Sequence, residues 1–211
     1  MPEVLKTAAN VSDEEIVNQA SDILIKGGII AYPTETFYGL GVDATNEKTI
    51  RKIFDVKGRD FRNPIALIIG QKADTYSLVK EVPDTAERLM AAYWPGALTL
   101  VFSASDNVSP LLTAGTGKIG LRVSSHPIAR KIAEKIKRPL TATSANQSGM
   151  PECSLASGVI KQIGDRIDAV LDGGETTGGR TSTIVDVTCS PPAILREGTI
   201  SRKAIGKYVT L

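Results

Sequence analysis

Small hydroxyls and glycines recur beside fixed cations in Thr34-Glu35-Thr36-Phe37-Tyr38-Gly39, Lys57-Gly58-Arg59, Arg122, Ser144-Ala145-Asn146-Gln147-Ser148-Gly149, Ser182-Thr183 and Arg196. Hydroxyls and backbone amides fit phosphate and carboxylate oxygens, glycine lets the backbone come close, and arginine grips such anions bidentately. The chemistry these segments suit is the holding of oxyanions by position and charge. Taken singly, each has a local reading as well. Ser144 and Asn146 are good turn caps, Lys57 and Arg59 suit a solvated helix end, and Arg122 and Arg196 can form surface pairs. Two points favour the site reading. The segments fall at strand ends, where open sheets place ligands, and both arginines sit in or beside apolar strands, where an unpaired charge is costly.

Other chemistries find little support. The lone histidine, His126, precedes Pro127 at an expected helix start, which suits a capping or surface role. The two cysteines, Cys153 and Cys189, match no zinc or dense disulfide spacing. Gly115-Thr116-Gly117-Lys118-Ile119-Gly120 has the form G-x-G-x-x-G, but a dinucleotide loop must follow a strand and open a helix. Here the motif leads into the β-rich run Ile119–Val123. Lys118 is no P-loop lysine, because Leu112 and Ile119 stand where that loop needs Gly and Ser or Thr.

The elements that must position these groups are legible from caps and periodicity. Ser12-Asp13-Glu14-Glu15 has the form of a capping box, followed by Ile16, Val17, Ala20, Ile23 and Leu24 at helical spacing. Gly27-Gly28 closes that helix and leads into the strand Ile29–Tyr32, halted by Pro33. Asn46 caps a helix through Ile50, Ile53 and Phe54 to Lys57-Gly58, and Pro64 precedes a strand over 65–69. Further helices are expected over 84–93, 128–136, 155–163 and 201–208. Further strands are expected over 98–102, 119–123, 140–143, 169–171, 183–187 and 193–196. Interleaved helices and strands predict an α/β domain with helices on one twisted mixed sheet.

With 211 residues, 42% hydrophobic and 23% charged, the chain has the composition of a soluble globular protein. No repeat or long linker divides it, so a single domain over 1–211 is expected, its core about 16–200. The net charge of +2 is dispersed, against a nucleic-acid-coating protein. Apolar runs fall short of the ~20 residues a membrane helix needs, and no signal segment opens the chain. A cytoplasmic protein with free thiols is expected.

The segments GGIIAYPTETFYGLGVDA, KGRDFRNPIALII, WPGALTLVF, IGLRVSSHPIA, TATSANQSGMP, STIVD and ILREG occur in an order that resembles the YrdC-like family of threonylcarbamoyl-AMP synthases. The resemblance runs from about Ala20 to Gly198. It implies a YrdC-like α/β domain with a concave cationic cavity; longer family members carry an additional C-terminal domain, which is not expected in these 211 residues. It also implies a nucleotidyltransferase that turns L-threonine, bicarbonate and ATP into threonylcarbamoyl-adenylate and pyrophosphate. The product serves a separate transferase complex that modifies tRNA to threonylcarbamoyladenosine. The alternative carried beside it is a YrdC-like paralogue that binds RNA or acts in ribosome or RNA maturation.

Carried over by position, Thr36, Arg122 and Ser182 resemble the threonine-binding residues. Lys57, Arg59, Asn63, Ser144, Asn146 and Arg196 resemble the ATP-binding ones. Lys57 and Arg59 would stabilise charge, with Mg2+ accompanying ATP, no protein ligand assigned to the metal, and no general base assigned. Weak tRNA contact is compatible with the resemblance. Ile68, Lys118 and Glu152 depart from residue types common in the family and stay outside this set. Glu35 has no assigned role.

Overall fold

Residues 1–6 and 12–211 are described by the computed structural model. The helices are α1 (Asp13–Ile25), α2 (Glu47–Lys57), α3 (Asp84–Tyr93), α4 (Pro110–Thr113), α5 (Pro127–Ile136), α6 (Ala156–Ile163) and α7 (Arg202–Ile205). The strands are β1 (Glu3–Lys6), β2 (Ile30–Tyr32), β3 (Gly39–Gly41), β4 (Leu67–Ile68), β5 (Leu98–Ser103), β6 (Lys118–Arg122), β7 (Leu140–Thr141), β8 (Thr143–Ser144), β9 (Ala169–Asp172), β10 (Thr183–Asp186) and β11 (Ala193–Arg196).

Local chemistry sets the long helices. The Ser12 hydroxyl accepts from the Glu15 amide at 3.3 Å, and the Asn46 side chain accepts from the Lys48 amide at 3.1 Å. Gly58 closes α2 in the left-handed conformation, φ 59°, which glycine adopts without steric cost. The next residue, Arg59, is thereby turned out of the helix.

The α/β class holds, and the strands divide between two mixed sheets rather than one. One runs β1-β9-β2-β3-β8 and the other β11-β10-β5-β6-β4-β7. Strand alternation explains how both faces are covered. In β2, Ala31 joins an apolar cluster with Ile50, Phe54 and Leu100, while Ile30 and Tyr32 join α1 and α5 residues such as Leu24 and Ile132. Leu67 and Ile68 of β4 divide the same way. Such strands read as continuous apolar runs because neither face is wet.

Two departures bear on the site. The single strand expected over 140–143 is two strands in different sheets. β7 pairs with β4, whereas β8 pairs with β3, the chain crossing at Ala142, whose amide donates to the Ala66 carbonyl at 2.7 Å. The stretch Gly39–Gly41, outside the expected strands, is strand β3, antiparallel to β2. A Cβ at Gly41 would lie 2.6 Å from the Tyr32 ring and 2.8 Å from Leu140. The missing side chain lets that ring lie against the strand. Elsewhere β4 is only two residues long, and α7 covers half of its expected span.

Candidate active site

Two neighbouring cavities take up the expected site residues. The first, about 250 Å³, is lined by Thr36, Arg59, Arg122, Ser144, Ser182 and Arg196, with Thr34, Tyr38, Thr143 and Glu152 among the others. The second, about 380 Å³, is lined by Lys57, Arg59, Asn63, Ser144 and Asn146, with Asp60 and Ser148. Arg59 and Ser144 border both. Three arginines stand against one glutamate on the first cavity's lining, an excess of positive charge that suits anions.

Both sheets contribute. Thr36 lies in the loop between β2 and β3, and Ser144 ends β8, all in the five-stranded sheet. Arg122 ends β6, Ser182 directly precedes β10 and Arg196 ends β11, all in the six-stranded sheet. The switch of sheets at Ala142 therefore helps draw the two halves of the lining together.

Arg122 is 7% exposed, and its guanidinium lies 3.4 Å from Oε1 of Glu35. Among the described residues this ion pair is the one charged contact of its guanidinium, and the group also lines the first cavity, where its other donors can meet a ligand. Glu35 is held in turn by the Ser124 hydroxyl, which donates to Oε2. Glu35 thus has a structural assignment: it is the counter-charge behind Arg122. A buried arginine needs such a partner, and a carboxylate between two threonines at a strand exit was the available signal.

Arg196 folds back over the antiparallel pair β10 and β11. Its Nε and one terminal nitrogen donate to the Ser182 carbonyl at 3.1 and 3.0 Å, and that terminal nitrogen also donates to the Ser182 hydroxyl at 3.2 Å. The structure thus brings Arg196, expected with the nucleotide set, against Ser182 of the threonine set. Burial, together with repulsion from Arg122, pulls the guanidinium below the usual arginine range, with Glu152 opposing. Gly198 lets the chain pass here, since a Cβ would lie 2.1 Å from the Thr181 carbonyl oxygen.

Lys57 behaves differently from an open phosphate ligand. Its ammonium donates to the carbonyls of Ser144 and Asn146 at 2.5 and 3.0 Å and to the Asn146 side-chain oxygen at 3.1 Å. An ammonium has three protons, so all are engaged with the 144–146 loop. The Ser148 amide also donates to the Lys57 carbonyl at 3.0 Å. Burial and then Arg59 bring the Lys57 pKa down to about 8, against the pull of Glu152 and Cys153. Arg59 spends one terminal nitrogen on the Thr143 hydroxyl and the other on the Pro64 carbonyl. Asn63 is exposed on the rim of the second cavity.

The remaining residues resolve individually. Lys118 pairs with Asp186 at 2.8 Å, outside the linings of both cavities, and Ile68 is core. Glu152 does line the first cavity, and its charge is felt by both Lys57 and Arg196. His126 is the N-cap residue of α5, but its side chain makes no capping bond, and its buried Nδ1 has no hydrogen-bond partner among the described residues. Lys118 begins a strand, which removes the dinucleotide-loop reading.

Fold and site together define an α/β protein with two joined cavities, one lined chiefly by arginines and hydroxyls and the other by lysine, arginine and amides. The Sua5/YciO/YrdC family model, described as telomere recombination, matches residues 22–198. The chain belongs to that family. It is 38% identical over 197 residues to a threonylcarbamoyl-AMP synthase of Pyrococcus abyssi, covering 93% of this chain and 58% of that protein. A threonylcarbamoyl-AMP synthase of Photobacterium profundum is 33% identical over 184 residues, covering 86% of this chain and 98% of its own length. The crystal structure of P. abyssi Sua5 complexed with L-threonine matches with TM-score 0.93 and 35% identity, over 100% of this chain and 61% of that one. The chain therefore spans somewhat under two thirds of the Pyrococcus protein it resembles.

Proposed function

We propose that the protein is a threonylcarbamoyl-AMP synthase, a nucleotidyltransferase using L-threonine, bicarbonate and ATP. The observation that carries this reading is the pair of cavities meeting at Arg59 and Ser144. An amino acid held in the first and a triphosphate in the second would react where they join. Support comes from the relatives' names and from the L-threonine complex of the Pyrococcus structure.

Arg122 receives the threonine carboxylate, while Thr36 and Ser182 bond its polar groups. The amine adds to bicarbonate, giving a carbamate with loss of water. A carbamate oxygen then attacks the α-phosphorus of ATP, forming the acyl-phosphate bond and breaking the bond to pyrophosphate. Arg59, at the junction, meets charge developing on phosphate and carbamate oxygens. Arg196 holds Ser182 on the lining of the first cavity. Lys57 acts as a positioning residue, holding Ser144 and Asn146 while lending the loop its charge. Asn63 contacts the nucleotide from the rim. Alignment of the reactants supplies most of the rate.

Mg2+ enters with ATP as part of the substrate. Such ions bind through phosphates and one or two carboxylates rather than an all-protein cage. Glu152 and Asp60 are the carboxylates lining the two cavities. The product supplies a separate complex that modifies tRNA, and we place the reaction in the cytoplasm. No helix among the described residues is long and apolar enough to cross a membrane.

The test is pyrophosphate release by the purified protein, with mass-spectrometric detection of threonylcarbamoyl-AMP. Both signals are expected to require ATP, L-threonine and bicarbonate together. Pyrophosphate release indifferent to threonine or bicarbonate would refute the proposal.

A further inference from the structure

The Thr36 hydroxyl has a definite polarity, and Thr34 sets it. Thr34 Oγ1 lies 2.7 Å from the Phe37 carbonyl oxygen, which can only accept, so the single Thr34 proton goes there. Thr34 Oγ1 also lies 3.1 Å from Thr36 Oγ1. With the Thr34 proton spent, Thr36 must be the donor of that pair. The Thr36 amide donates to the same Thr34 oxygen at 3.2 Å, locking the turn around it. Thr36 therefore spends its only hydroxyl proton on Thr34 and offers lone pairs. Both side chains are buried, Thr34 at 2% and Thr36 at 6% exposed, so water competes poorly for these bonds.

We infer that Thr34 is a positioning residue that makes Thr36 an acceptor-only contact, and that the group recognised there is the amine of the amino-acid substrate. This rests on the proposed binding of L-threonine in the first cavity. Among the arginines, hydroxyls and lone carboxylate that line this cavity, Arg122 suits the substrate's carboxylate. The remaining strong donor on an α-amino acid is its nitrogen. Once the ammonium has lost one proton to solvent, an acceptor that takes one of the remaining N–H groups also orients the nitrogen lone pair, the electron pair needed for attack on bicarbonate carbon.

Calorimetric binding of L-threonine and of 3-hydroxybutanoate, which keeps the carboxylate and hydroxyl but lacks the amine, tests the inference on the intact chain. Thr34→Val is expected to weaken L-threonine about tenfold, the usual effect of one lost hydrogen bond, and to leave 3-hydroxybutanoate within twofold. Thr34→Ser should restore threonine binding. In a Thr36→Val background, Thr34→Val should cost nothing more, because it acts through Thr36. Thr34→Ala carries the same expectations if melting curves show that the valine variant has lost its fold. Unchanged threonine affinity in the Thr34 variants overturns the inference, as does equal weakening of both ligands or a full effect in the Thr36→Val background. A wild-type protein that binds no L-threonine refutes the reading of the cavity itself, and this inference with it.

Discussion

Replacing Glu35 by Gln tests whether the charge behind Arg122 holds the site together. The two groups lie 3.4 Å apart, with side chains 8% and 14% exposed. Coulomb attraction at that separation is ~5 kcal/mol for an effective dielectric near 20. Desolvation of both groups offsets much of this, but removing one partner strands the other charge in a buried place, which typically costs ~3–5 kcal/mol. For a chain of this size a loss of 1 kcal/mol lowers Tm by roughly 2–4 °C. Glu35→Gln should therefore lower Tm by roughly 6–20 °C, measured by thermal and urea unfolding of the ligand-free protein. Arg122→Met should recover much of the loss when combined with Glu35→Gln, since the stranded charge is then gone. A Tm within about 2 °C of wild type would refute the reasoning, because the experimental error on such shifts is far below the ~3 kcal/mol expected. An undiminished Glu35→Gln effect in the Arg122→Met background would equally do so, showing that Glu35 acts through Ser124.

Lys57, with its pKa lowered from 10.5 to about 8, binds fewer protons in the folded than in the unfolded chain between those values. Its unfavourable contribution to stability is full below about pH 8 and is relieved as pH rises through that window; urea unfolding should show a more positive stability slope there than Lys57→Met. Over the same range the loop cation is lost, so KM for ATP should rise above about pH 8, and a flat profile to pH 9.5 would exclude it. Burial raises the Cys153 thiol, opposed by Lys57, whereas Cys189 is exposed; native alkylation followed by mass spectrometry should label Cys189 and spare Cys153. Gly41→Ala places a methyl 2.6 Å from the Tyr32 ring, an overpacking expected to cost ~1–3 kcal/mol, readable as a lower urea midpoint, and an unchanged midpoint would mean that the ring moves freely.

Much of the site was legible in the residues themselves. Hydroxyls, glycines and cations at strand ends gave the expectation of an oxyanion site, and Lys57, Arg59, Ser144, Asn146, Thr36, Arg122, Ser182 and Arg196 each line at least one of the two cavities. Glu35 and Thr34 were not legible as partners. A carboxylate becomes a counter-charge only when Arg122, 87 positions away by number, arrives beside it. A hydroxyl acquires a polarity only when a neighbouring carbonyl claims a proton.

A helix such as α2 is determined by the sequence alone, because the Asn46 cap, the Gly58 stop and a helical apolar stripe act within a few residues. Strand pairing is not local in this way. Residues 140–143 read as one strand, yet only the opposed edges of β4 and β3 determine that this stretch serves two sheets. The same tertiary placement turns Lys57 from an open helix-end cation into a clamp on the 144–146 loop, since its ammonium bonds to whichever carbonyls the fold brings within reach.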